Sequence, residues 1–152
     1  MKRSTFTVTL SVPSTPSNVT TGPAFELANA YSIMGLVVTI LAPTDGAIHL
    51  YIQDSTDDGV TWTDCAHFAQ SDAGTARVDR MSLMLWSAPT PTFVGEHKAP
   101  VGDTAPAPGL AEGTVCPAPW GQKLRLVAVT GPGTSGAPVV QTVKFMPVVL
   151  GG

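Results

Sequence analysis

The chain reads as all-β: a two-sheet antiparallel β-sandwich, jelly-roll-like, of about eight strands with one long Pro/Gly-rich loop. Three observations predict this. Apolar side chains recur at every second position in several separate runs, which is the period of a strand. The 152 residues include 15 glycines and 14 prolines, the punctuation that short strands joined by turns require. Nineteen threonines equal in number the 8 basic and 11 acidic residues together, and threonine suits a pleated, half-buried surface.

Each element has its own signal. Phe6, Val8, Leu10 and Val12 alternate with threonine and serine as an amphipathic first strand. Residues 13–23 form a Ser/Thr/Pro/Asn connector. Phe25 and Leu27 open a short strand that Asn29 interrupts. Ile33 to Leu41 is almost continuously apolar and β-branched, as in a central strand covered on both faces. Pro43-Thr44-Asp45-Gly46 makes a turn, since proline presets φ and glycine accepts positive φ.

A hairpin follows. Ile48, Leu50 and Ile52 alternate with His49, Tyr51 and Gln53 before an acidic turn; Trp62, Ala66 and Phe68, with Asp64 between, share one parity after it. Arg77 to Trp86 fits two periods: Met81, Leu83 and Leu85 as a strand, Val78, Met81 and Leu85 as a helix. Its strand-like surroundings favour strand. Leu124, Leu126 and Ala128 form the next run, and Gly131 to Gly136 a flexible turn. Val139, Gln141, Val143 and Phe145 face one way in the last strand, opposite Val140, Thr142, Lys144 and Met146. Pro147 has no N–H for a ladder, so it belongs at an edge or bulge. Residues 95–121 show no period and form an extended loop, long for a compact domain, as a contact arm would be. Together the 152 residues make a single domain.

Composition narrows the function. Only 12% of residues are charged, the net charge is −3, and no basic run exists to track phosphates, so nucleic acid is not an expected partner. No segment reaches the roughly 20 apolar residues of a membrane-spanning helix. Met1-Lys2-Arg3 is basic, but Ser4 to Thr9 lacks a signal-peptide core, so synthesis in the cytoplasm is expected. Two cysteines, Cys65 and Cys116, are too few for a disulfide scaffold and are expected as free thiols.

The residues that carry chemistry do not assemble into a catalytic or metal-binding pattern. Asp54, Asp57, Asp58 and Asp64 offer oxygen ligands for calcium, but without the spacing of an EF-hand loop. His49, His67 and His97 are scattered; the one close pair, Cys65 and His67, shares a strand face and is too small for a zinc site. There is no nucleophile elbow and no spaced pair of carboxylates around a substrate. The expectation is a non-enzymatic protein without metal or cofactor. Trp62, Trp86 and Trp120 are candidate sugar-stacking rings, and a carbohydrate-binding alternative would use Trp86 or Trp120. Trp120 closes Pro117-Ala118-Pro119, where an exposed ring marks a contact site; with Pro106 and Pro108 these residues are the candidate partner contacts.

Ser55-Thr56-Asp57-Asp58-Gly59-Val60-Thr61-Trp62 fits the S-x-D-x-G-x-T-W pattern of the Asp-box, a hairpin motif repeated in sialidase-type propellers. Ser55 and Asp57 tie the turn, Gly59 takes the strained conformation, and the Trp62 ring packs over the hairpin. The motif occurs once, so the chain is no propeller. The stretch from Tyr51 to Asp64, with Cys65-Ala66-His67-Phe68 after it, resembles small virion proteins of tailed bacteriophages, capsid decoration (cement) proteins among them. That resemblance implies a β-sandwich on the capsid surface of a virion, bound to the major capsid protein and to copies of itself as a homo-oligomer. It implies no catalytic residues. A tail, baseplate or head-fibre module is the alternative within the same particle.

Overall fold

The protein is described by a computed structural model covering residues 6–13, 15–16, 18–26, 30–39, 46–68, 70–72, 77–84, 114–115 and 123–149. These residues hold eleven strands. They are β1 (Phe6–Val12), β2 (Val19–Thr21), β3 (Phe25–Glu26), β4 (Ala30–Thr39), β5 (Ala47–Ser55), β6 (Thr63–His67), β7 (Ser71–Asp72), β8 (Arg77–Met84), β9 (Thr114–Val115), β10 (Lys123–Thr130) and β11 (Val139–Val149). No helix occurs among the described residues, and the helical reading of Arg77–Trp86 gives way to strand over Arg77–Met84.

The strands form two antiparallel sheets. The first has the order β1-β11-β4-β8. The second has the order β2-β10-β5-β6-β9, with β3 also on β10 and β7 also on β5. β2 and β3 are two pieces on one edge of β10, bridged by the Gly22 N–H donating to the Leu126 carbonyl (2.8 Å). Pro23 then has no N–H with which to continue the ladder. β6 and β7 stand in the same relation to β5, joined by the Phe68 N–H donating to the Leu50 carbonyl (2.9 Å).

Period-two patterning decides which side chains meet. In β1, Val8, Leu10 and Val12 are buried while Thr7, Thr9 and Ser11 are exposed. They join Val139, Val143 and Phe145 of β11, Ile48, Leu50 and Ile52 of β5, and Leu124, Leu126 and Ala128 of β10 in one core cluster. That cluster draws side chains from strands of both sheets. Phe25 seals it with its ring 4.9 Å from that of Phe145. Gln141 shares the inward row of β11 as expected, fully buried despite its amide.

Pro147 stands opposite Ile33 of β4, just before the register shift that this ladder takes between Val148 and Val149.

Three expectations change. The 13–23 connector contains β2, and Thr130 fastens its start: Thr130 Oγ1 donates to the Thr15 carbonyl and accepts from the Asn18 N–H (2.8 Å). The periodless 95–121 segment contains β9, which pairs with β6. The shared parity of Trp62, Asp64, Ala66 and Phe68 is broken by a bulge. Gln53 faces Asp64 and Ile52 faces Ala66, so Cys65 is one residue too many on β6. A bulge turns the residues on its two sides to opposite faces. Cys65 and Ala66 therefore enter the core, while Asp64 and His67 stand on the other face, and Cys65 and His67 do not share one. Cys65 is buried.

Candidate functional site

The hairpin of β5 and β6 gathers most of the polar chemistry of the described residues, in three adjoining groups. The first is the turn. Asp58 (φ 62°) and Gly59 (φ 93°) both adopt the left-handed conformation, which glycine tolerates and aspartate accepts more readily than most residues. Ser55 Oγ donates to Asp57 Oδ1 (2.8 Å) and accepts from the Gly59 N–H (2.8 Å). Asp57 accepts from the Thr61 N–H (2.8 Å) and from the Thr61 hydroxyl. The Trp62 indole N–H donates to the Gly59 carbonyl (3.0 Å), which lays the ring against the turn. Ser55, Asp57, Gly59 and Trp62 thus come together in the roles their sequence pattern predicts.

The bonds from Thr61, first through its hydroxyl and then its backbone, and that from Ser55 favour the charged carboxylate. They hold Asp57 at about 2, below its ordinary 3.8. Lys123 of β10 clamps the turn from the neighbouring strand, with Nζ 2.7 Å from Asp58 Oδ1 and 3.9 Å from Glu26. The bond to Asp58, aided by both negative charges, raises the lysine above its ordinary value. The turn displays Val60 at 81% exposure, at its tip.

The second group lies on the sheet face away from the core. Gln53 is fully buried; its amide donates to Asp64 Oδ1 (2.8 Å) and its carbonyl accepts from Arg125 Nε (2.9 Å). The Arg125 guanidinium lies over the Trp62 ring, 4.2 Å from its centroid. Burial lowers the guanidinium from its ordinary value and the Asp64 charge partly opposes this. Cross-strand register builds the row, since Gln53 stands between Arg125 on one side and Asp64 on the other.

The third group is aromatic. His67 stacks on Tyr51 (4.0 Å between centroids, planes 17° apart), and His49 Nδ1 stands 3.3 Å from His67 Nε2. Tyr51, Val127 and Val129 form a small second cluster here, with Val19 against it, although they point away from the main core. The scattered histidines of the sequence are thus neighbours, two of them at least: Tyr51 faces His67 across the hairpin and His49 lies on the diagonal. The hairpin register, once the bulge is counted, is the signal that finds this pair.

The aspartates singled out for calcium point to four different partners. Asp54 accepts from the Thr63 hydroxyl (2.6 Å), Asp57 from Thr61, Asp58 from Lys123 and Asp64 from Gln53. Among the described residues, no three His, Cys, Asp or Glu side chains gather around a common point. Pro106, Pro108, Pro117, Pro119, Trp120, Trp86, His97 and Cys116 lie outside the described residues. Comparison with protein families, curated proteins and solved structures returns no match to this chain.

Proposed function

We propose that this chain is a non-enzymatic virion structural protein, a capsid decoration protein folded as a jelly-roll β-sandwich. The observation that carries the reading is the strand order. Count β2 with β3 and β6 with β7 as single interrupted strands, and set aside the two-residue β9. One sheet then runs first, eighth, third, sixth, and the other second, seventh, fourth, fifth. The strand pairs first–eighth, second–seventh, third–sixth and fourth–fifth alternate between the sheets, an order that supports a jelly roll, an architecture used in viral capsids and in lectins.

Within the hairpin, docking is favoured over sugar stacking at Trp62. Its tryptophan has an arginine stacked on it, so that face of the ring is not open to a sugar. Its turn is held by side-chain bonds and by the Lys123 clamp, and a rigid turn that displays an apolar Val60 loses little entropy when it docks. The partners on this reading are the major capsid protein and further copies of the chain, at the capsid surface.

The test is addition of purified protein to capsids that lack it. Co-sedimentation at a fixed stoichiometry and a raised temperature of capsid rupture are expected, and Val60→Asp is expected to weaken the binding without changing the circular-dichroism spectrum. Absence of both binding and heat protection overturns the reading. Immunogold labelling confined to the tail assigns the chain to a tail, baseplate or fibre module instead.

A further inference from the structure

We propose that β1 is a docking edge for a second copy of this chain. Two β1 strands pair antiparallel about a two-fold axis at Thr9 and join the first sheets of both copies into one continuous sheet. The contact is independent of the capsid reading.

The edge itself carries this. β1 stands at one end of the first sheet, next to β11. All seven residues from Phe6 to Val12 pair with β11 in unbroken register, so the strand is regular and has no bulge. Alternate residues of such an edge strand direct their N–H and C=O groups away from the neighbour, which templates a further strand. Among the described residues, no other strand or loop backbone bonds to that side of β1.

The other described sheet edges are guarded, and β1 is not. Natural edges are blunted by charge, by proline and by short or interrupted strands. β8, at the far end of the first sheet, carries Arg77, Asp79 and Arg80. In the second sheet, β2 has three residues and β3 two, with Pro23 between them, and β9 has two. Phe6–Val12 holds neither a charge nor a proline.

The sequence of β1 also fits its own copy. Residues directly opposite in an antiparallel pair point to the same face, so a two-fold axis on a residue keeps inward side chains beside inward ones. An axis between residues reverses them. Thr9 is the middle residue, and an axis there sets it against Thr9 of the second copy, Thr7 against Ser11, Val8 against Leu10 and Phe6 against Val12. Thr7, Thr9 and Ser11 are exposed, whereas Val8, Leu10 and Val12 are buried. Hydroxyls therefore meet hydroxyls on the outer face, where such pairs bond across strands, and no like charges meet. Pro13, the next residue, has no N–H and closes the ladder at both ends.

The test is light scattering on the purified full chain over a wide range of concentration, with no capsid present. A mass rising from 15.7 kDa to twice that value is expected. Thr9→Lys and Thr9→Asp each set like charges against each other and are expected to weaken the dimer about tenfold or more. An equimolar mixture of the two is expected to pair again, a rescue that a damaged fold would not give. Amide exchange on the unaltered chain decides the matter even where a variant fails to fold: the outward amides of β1 slow as the dimer forms, and those of β8 do not. A mass that stays at 15.7 kDa, a dimer that leaves β1 exchange unchanged, or undiminished self-association in both folded variants overturns the proposal.

Discussion

Asp57 accepts three of the bonds that shape the hairpin turn, from Ser55 and twice from Thr61. Its carboxyl titrates at about 2 in the folded chain against an ordinary 3.8, so the charged form is the one the turn prefers. A depressed carboxylate contributes its stabilisation in full above the ordinary value and loses it as pH falls through the folded one. The Thr61 amide resonance should therefore titrate with a midpoint near about 2, and Asp57→Asn should speed Thr61 amide exchange at neutral pH. A midpoint near 3.8 would show the bonds to be loose in solution. Arg125 acts differently, because it serves a buried partner. Arg125→Ala removes the donor to the Gln53 carbonyl and the cation beside Asp64. A buried acceptor deprived of its donor costs about 1–3 kcal/mol, which urea unfolding will measure. Arg125→Lys restores the charge but neither the Nε donor nor the flat contact with Trp62, so it should recover only part of the loss. The roles of Ser55, Asp57, Gly59 and Trp62 were legible in the sequence because every partner lies within a few residues. The Gln53–Arg125 bond was not, since 72 positions separate the two.

At the scale of elements, two glycines with similar backbone angles make a contrast. Gly46 has φ +86° and a Cβ there would stand 2.6 Å from Thr134 Cα and 2.7 Å from its nitrogen. Gly133 has φ +77° and open space around it. Gly133→Ala should cost about 1–2 kcal/mol, the strain of a left-handed residue alone. Gly46→Ala adds a clash with backbone and should cost more than about 3 kcal/mol. Equal losses in thermal unfolding would show that the turn at Gly131–Gly136 yields freely. Strand positions were largely readable, because the core cluster takes alternate residues of β1, β5, β10 and β11. The parity of β6 was not. One extra residue at Cys65 reverses the facing of everything on one side of it, and an inserted residue leaves no mark in a run of mixed polarity.

Across the whole molecule, one core cluster joins Val8, Val143 and Phe145 of the first sheet to Ile52, Leu124 and Leu126 of the second. Because that cluster takes side chains from both sheets, both should melt together. Phe145→Ala in β11 should cost about 3–5 kcal/mol and Leu126→Ala in β10 about 2–5 kcal/mol. Each should lower the midpoint of the same single transition, seen alike by near- and far-ultraviolet circular dichroism. Two transitions, each moved by one variant only, would mean that the sheets fold separately.

The sequence by itself determined the all-β class, the inward rows of β1, β5, β10 and β11, and the closed turn from Ser55 to Trp62. Those features depend on period and on near neighbours, which a linear chain displays directly. Only the tertiary structure decided which strands pair, where the bulge falls, and that His49 meets His67 on the face away from the core. The physical reason is that register between strands is set by the fit of whole faces, and a one-residue shift moves every side chain from one face to the other.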